Sequence, residues 1–87
     1  MLCEKGRIVI SKAGRDKYYY LAVVGESDGF LLLCDGKERP LERPKRKNAK
    51  HVALTGGILS DAQMSANRTL RKALREFSGR STGKEET

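Results

Sequence analysis

Ten side chains in this sequence have the types and spacings from which a functional site could be assembled, and the chemistry they suit is the holding of an anionic chain. The segment "RPKRKNAKH", residues 43 to 51, carries Arg43, Lys45, Arg46, Lys47 and Lys50 with no acidic residue among them. Cations at that density neutralise phosphates and release condensed counterions. A second group, Lys12, Arg15 and Lys17, surrounds Gly14, where the missing Cβ lets backbone approach a phosphate chain. Tyr18, Tyr19 and Tyr20 follow directly. On an extended chain Tyr19 faces away from its two neighbours, and an exposed tyrosine can stack on an unpaired base. His51, the only histidine, stands beside the basic run and reads as a surface or phosphate-proximal residue. Blander readings stay open for each group. The run also fits a solvated loop or a nuclear-localisation signal, the Gly14 loop an ordinary charged turn partly balanced by Asp16, and the tyrosines ordinary strand packing with the hydroxyl at the surface.

Bond-making chemistry finds no such grouping. One histidine by itself builds neither a triad nor a metal site. Cys3 and Cys34 are too few and too far apart in sequence for a disulfide framework or a zinc site. Cys34 ends an apolar run, where a thiolate is disfavoured, and reads as a small core residue; Cys3 reads as incidental. No Gly-rich phosphate loop, CxxC pair or convincing carboxylate pair is present. The sequence predicts no enzyme, no cofactor and no metal.

The elements that must position these residues follow from composition and periodicity. Eighty-seven residues suit one small domain, and 18 Lys and Arg against 11 Asp and Glu give a net charge of +7. That charge favours polyanions such as nucleic acid, ribonucleoprotein or an anionic membrane surface. No apolar stretch is long enough for a signal peptide or a membrane span, so the expected setting is cytoplasmic with reduced thiols. "RIVISK", "YYYLAVVGE", "FLLLCD", "ERPLE" and "HVALT" read as five short strands separated by turns at "AGRDK", "ESDG" and "DGK". Ile8 and Ile10 share one face of the first strand, with Arg7, Val9 and Ser11 on the other. Five closely spaced strands suggest a small antiparallel barrel. "TGG" breaks the pattern, and a helix is predicted after it. Ser60 and Gln63 are placed as a capping box, Ala66, Leu70, Ala73, Leu74 and Phe77 line one face, and Gly79 is the stop. The basic run then forms a wall between the fourth and fifth strands.

The first half, from Gly6 to about Val52, resembles the KOW-motif RNA-binding proteins. The likeness is greatest to the small bacterial proteins related to KOW ribosomal proteins of the archaeal and eukaryotic large subunit. It is carried by Gly6, Ile8, Val9, Ser11, the run Ala13-Gly14-Arg15-Asp16-Lys17, Val23-Val24, Asp35-Gly36, Pro44-Lys45-Arg46-Lys47 and Lys50-His51. One departure is clear: KOW sequences commonly carry a second glycine where Tyr18 stands. The resemblance implies an SH3-like barrel, placed over residues 1–57; the helix read from the apolar spacing takes 58–79, and the polar end 80–87 is expected to be a disordered tail. The resemblance also implies a role in binding structured RNA, ribosomal RNA first, with ribosomal proteins as further partners. No membrane partner is expected, since no apolar stretch spans one and the apolar face of the helix is alanine-rich. Lys12, Arg15, Lys17, Tyr19, Arg43, Lys45, Arg46, Lys47, Lys50 and His51 are the expected contacts. A protein-interaction adaptor docking through the barrel or the helix is the alternative. Duplex DNA has less support, since no helix-turn-helix pattern is present.

Overall fold

The structure is a computed structural model. It describes residues 3–15 and 17–82, with only the backbone at 80–82. Five strands, β1 (Arg7–Ser11), β2 (Tyr20–Ser27), β3 (Phe30–Cys34), β4 (Lys45–Asn48) and β5 (Val52–Ile58), precede one helix, α1 (Asn67–Thr82). The strands form a single antiparallel sheet in the order β4-β3-β2-β1-β5. β4 and β5 therefore sit at opposite edges, yet only the 3-10 turn Ala49–His51 separates them in sequence. In a flat sheet four strand spacings would put those edges about 19 Å apart, whereas a three-residue 3-10 turn rises about 6 Å. The sheet must curl. Register shifts between Val23 and Gly25 in β2, and between Leu54 and Ile58 in β5 opposite Val9 and Arg7, supply the bends.

Curling explains the nearly continuous apolar runs of β2 and β3, because both faces of the sheet are covered. Val9, Leu21, Val23, Leu31, Leu33 and Val52 pack together on one face, joined by Cys3. Cys3 is thus a core residue rather than incidental. On the opposite face Ile8, Ala22 and Cys34 meet Leu70, Ala73 and Leu74 of α1, with Leu59 and Met64 beside them. Burial of Leu70 and Leu74 contributes about 1.5–3 kcal/mol each, which holds a 16-residue helix that would be marginal alone.

Two glycines permit that docking. Gly36 has φ +79, and a Cβ there would collide with the Asn67 carbonyl and lie 3.0 Å from the Arg71 nitrogen. A Cβ on Gly57 would lie 2.6 Å from the Phe77 ring. β5 does not end at "TGG" but continues to Ile58, which pairs with Arg7 of β1.

The helix differs from its expected bounds. Ser60 and Gln63 do form the reciprocal cap, Ser60 N donating to Gln63 Oε1 at 2.8 Å and Gln63 N to Ser60 Oγ at 3.2 Å. That cap closes only the turn at residues 61–64; the chain bends at 65–66 and α1 starts at Asn67. There the side chain of Asn67 accepts from Leu41 N at 2.7 Å and donates to Glu42 at 2.9 Å, tying the helix start to the β3–β4 connection. α1 then runs through Gly79 to Thr82. The tail expected over 80–87 lies largely outside the described residues, as does the turn role of Asp16. "ERPLE" is a connection rather than a strand, and the fourth strand is "KRKN" of the basic run itself.

Candidate nucleic-acid interface

The connection between β1 and β2 is the best-anchored part of the cationic surface. Its own backbone closes it, with Tyr18 N donating to Ser11 O at 2.7 Å and Lys17 N to Gly14 O at 3.2 Å. Lys12 N donates to His51 O at 2.8 Å, fastening the loop to the 3-10 turn after β4. Lys47 Nζ donates to Ala13 O at 3.0 Å, and Ser11 Oγ donates to the same carbonyl at 3.0 Å. Two segments more than thirty residues apart are thereby joined. Lys12, Arg15 and Lys17 are exposed on the loop, and Lys50 and His51 are exposed on the adjoining turn. Asn48 Oδ1 accepts from Lys50 N at 2.9 Å and sets the start of that turn.

The remaining cations of the run have other surroundings. β4 alternates like any strand, and its register pairs Lys47 with Leu31 and Lys45 with Leu33. Lys47 is only 7% exposed, so it braces the loop from within instead of meeting solvent. Lys45 is half-buried on the same face. Arg46 projects to the other side, its guanidinium 4.9 Å from the centre of the Phe30 ring, a cation–π distance. Arg43 is exposed in a turn closed by its own N–H to Pro40 O at 2.9 Å, beside the Leu41 and Glu42 contacts with α1. The Asn67 amide, then Glu42's own backbone N–H and the nearby Arg43 charge, hold the Glu42 carboxyl below its ordinary range.

The three tyrosines separate by role. Tyr20 is half-buried and meets Phe77 edge-on, with ring centroids 6.0 Å apart. Tyr19 is 51% exposed and, with Arg15 and Arg39, lines a cleft of about 310 Å³. Tyr18 is 71% exposed and has φ +73, the left-handed conformation that glycine adopts at no cost. The Lys17 ammonium lies 5.2 Å from the Tyr18 ring centre.

Sequence reasoning missed a second wall. Tyr18, Tyr19 and Tyr20 face Lys37, Arg71 and Arg75 across an open groove of about 630 Å³. The available signal was the i, i+4 pair Arg71 and Arg75, off the apolar stripe of α1. Nucleophilic chemistry has little support at Cys34. Burial, followed by the charges of Asp35 and Glu42, pushes its thiol up to about 11, and its Sγ donates to Pro40 O at 3.4 Å. Among the described residues no group of three or more His, Cys, Asp or Glu converges on a metal-sized site. No helix among them is long and apolar enough to cross a membrane. No protein-family model matches the chain, and no curated protein matches it.

Proposed function

We propose that this chain is an RNA-binding module of KOW type, a curled SH3-like barrel acting in the cytoplasm with the ribosome or translation apparatus. Its phosphate-binding surface is the β1–β2 loop together with the turn that follows β4. The observation that carries this reading is the pair of bonds fastening that loop, Lys12 N to His51 O and Lys47 Nζ to Ala13 O. They hold Lys12, Arg15, Lys17 and Lys50 as one preorganised cationic patch, in keeping with contacts that orient a structured RNA. The left-handed Tyr18 supports the KOW likeness, since a residue that departs from the motif glycine keeps a glycine-type backbone. Mechanism is binding, with no chemical step.

Charge reversal tests the proposal. The triple variant Lys12→Glu, Lys17→Glu, Lys50→Glu should lose RNA affinity by at least tenfold while its melting temperature stays within a few degrees of wild type. Unchanged affinity would remove the patch from the account. A protein-docking role through α1 has less support, because the apolar face of that helix already covers the sheet.

A further inference from the structure

The groove between the tyrosines and α1 has a composition that the phosphate patch lacks. One wall is aromatic, formed by Tyr18, Tyr19 and Tyr20, which are all the tyrosines of the chain, and there is no tryptophan. The other wall is cationic, formed by Arg71 and Arg75 one helical turn apart, with Lys37 at the rim. Both guanidinium groups are exposed, and neither has an acidic partner among the described residues. Asp35 is the one carboxylate lining the groove, and its Oδ1 is turned into its own loop, accepting from Lys37 N and Arg39 N at 2.8 Å each. Gly79 contributes no side chain to the wall, and nothing lies within 4 Å of where its Cβ would be.

Aromatic faces opposite guanidinium groups suit a ligand that has a flat π-system and a negative charge on one unit. A nucleotide is such a unit, its base stacking on tyrosine and its phosphate pairing with arginine. A groove of about 630 Å³ falls in the range of small-ligand sites. A base held in a duplex cannot enter, because both its faces are already stacked. We propose that this groove binds an unpaired nucleotide of single-stranded RNA, as a second site separate from the duplex-tolerant phosphate patch. The inference rests on the RNA-binding reading for the identity of the polymer.

Every tyrosine of the chain lines this groove, so tyrosine emission reports it; Tyr18 and Tyr19 also adjoin Lys17 and Arg15 of the phosphate patch, and the duplex titration measures that contribution. The full chain is titrated with a single-stranded RNA hexamer and, separately, with a blunt twelve-base-pair RNA duplex, each corrected for absorbance with free tyrosinamide. The hexamer should quench the emission saturably, and the duplex should bind without comparable quenching. Arg71→Gln with Arg75→Gln, both at exposed positions, should weaken hexamer binding by tenfold or more and change duplex affinity by less than threefold. A duplex that binds while the hexamer gives no saturable quenching would overturn the groove site and leave the phosphate patch standing. Equal losses for hexamer and duplex in the double variant would overturn it too. Failure of both RNAs to bind would overturn both proposals together.

Discussion

Lys47 offers the sharpest test of the structural reasoning, because in the sequence nothing distinguishes it from Lys45 or Lys50. Lys47→Met keeps the aliphatic stem on the Leu31 face and removes only the ammonium that holds Ala13 O. A hydrogen bond from a charged donor contributes about 1.5–3 kcal/mol. Release of a buried charge offsets part of that loss, and Ser11 Oγ still satisfies the carbonyl. The expected net cost is therefore about 1–2 kcal/mol. In a domain of this size that lowers the melting temperature by roughly 5–15 °C. Lys50→Met, at an exposed position, should stay within about 0.5 kcal/mol of wild type. Thermal melts followed by circular dichroism measure both, and RNA titrations across a salt series add a second axis. Lys50→Met should flatten the slope of log affinity against log salt by about 0.7–0.9, the share of one phosphate contact, and Lys47→Met should leave the slope as it is. A Lys47→Met protein with wild-type melting and a flattened slope would refute the inward placement of Lys47.

Three further outcomes are expected. Gly36→Ala should cost about 2–4 kcal/mol, since it combines a left-handed φ with a collision against the first turn of α1; a urea midpoint equal to wild type would count against that docking. Tyr18→Gly should stabilise by about 0.5–1 kcal/mol, because relief of the left-handed strain exceeds the added chain entropy, and the same urea titration reads it. Stability should fall as pH rises from about 9 towards 11. The unfolded Cys34 thiol ionises at its ordinary value of 9.0 and the folded one at about 11, so the native state holds that proton more tightly; this contribution is full below pH 9 and lost above 11. Cys34→Ala should remove that part of the alkaline slope, and an identical pH profile for the variant would contradict it.

The strands whose apolar residues face a core were legible in the sequence: β1, β2 and β3 lie close to where their β-branched and aromatic runs put them. β4 was not, because an edge strand carries charge on both faces and its inward position is filled by the stem of Lys47 instead of an apolar side chain. "ERPLE" resembled a strand only locally; it is consumed by contacts with Asn67, which no local pattern announces. The capping box at Ser60 and Gln63 was read correctly as a motif and placed nearly two turns too early for the helix proper. Of the expected contacts, the loop cations and Lys50 were foreseeable from charge and spacing. The inward turn of Lys47, the Phe30 partner of Arg46 and the groove formed with Arg71 and Arg75 depend on register and helix docking, which arise only in three dimensions.

The central claim is tested most directly by wild-type binding to structured ribosomal RNA and to duplex DNA of similar length across a salt series. Four phosphate contacts predict a slope near −3, an affinity loss of roughly 60-fold for RNA between about 50 and 200 mM salt, and tighter binding to RNA than to DNA throughout. Equal, weak binding to both polymers would contradict it.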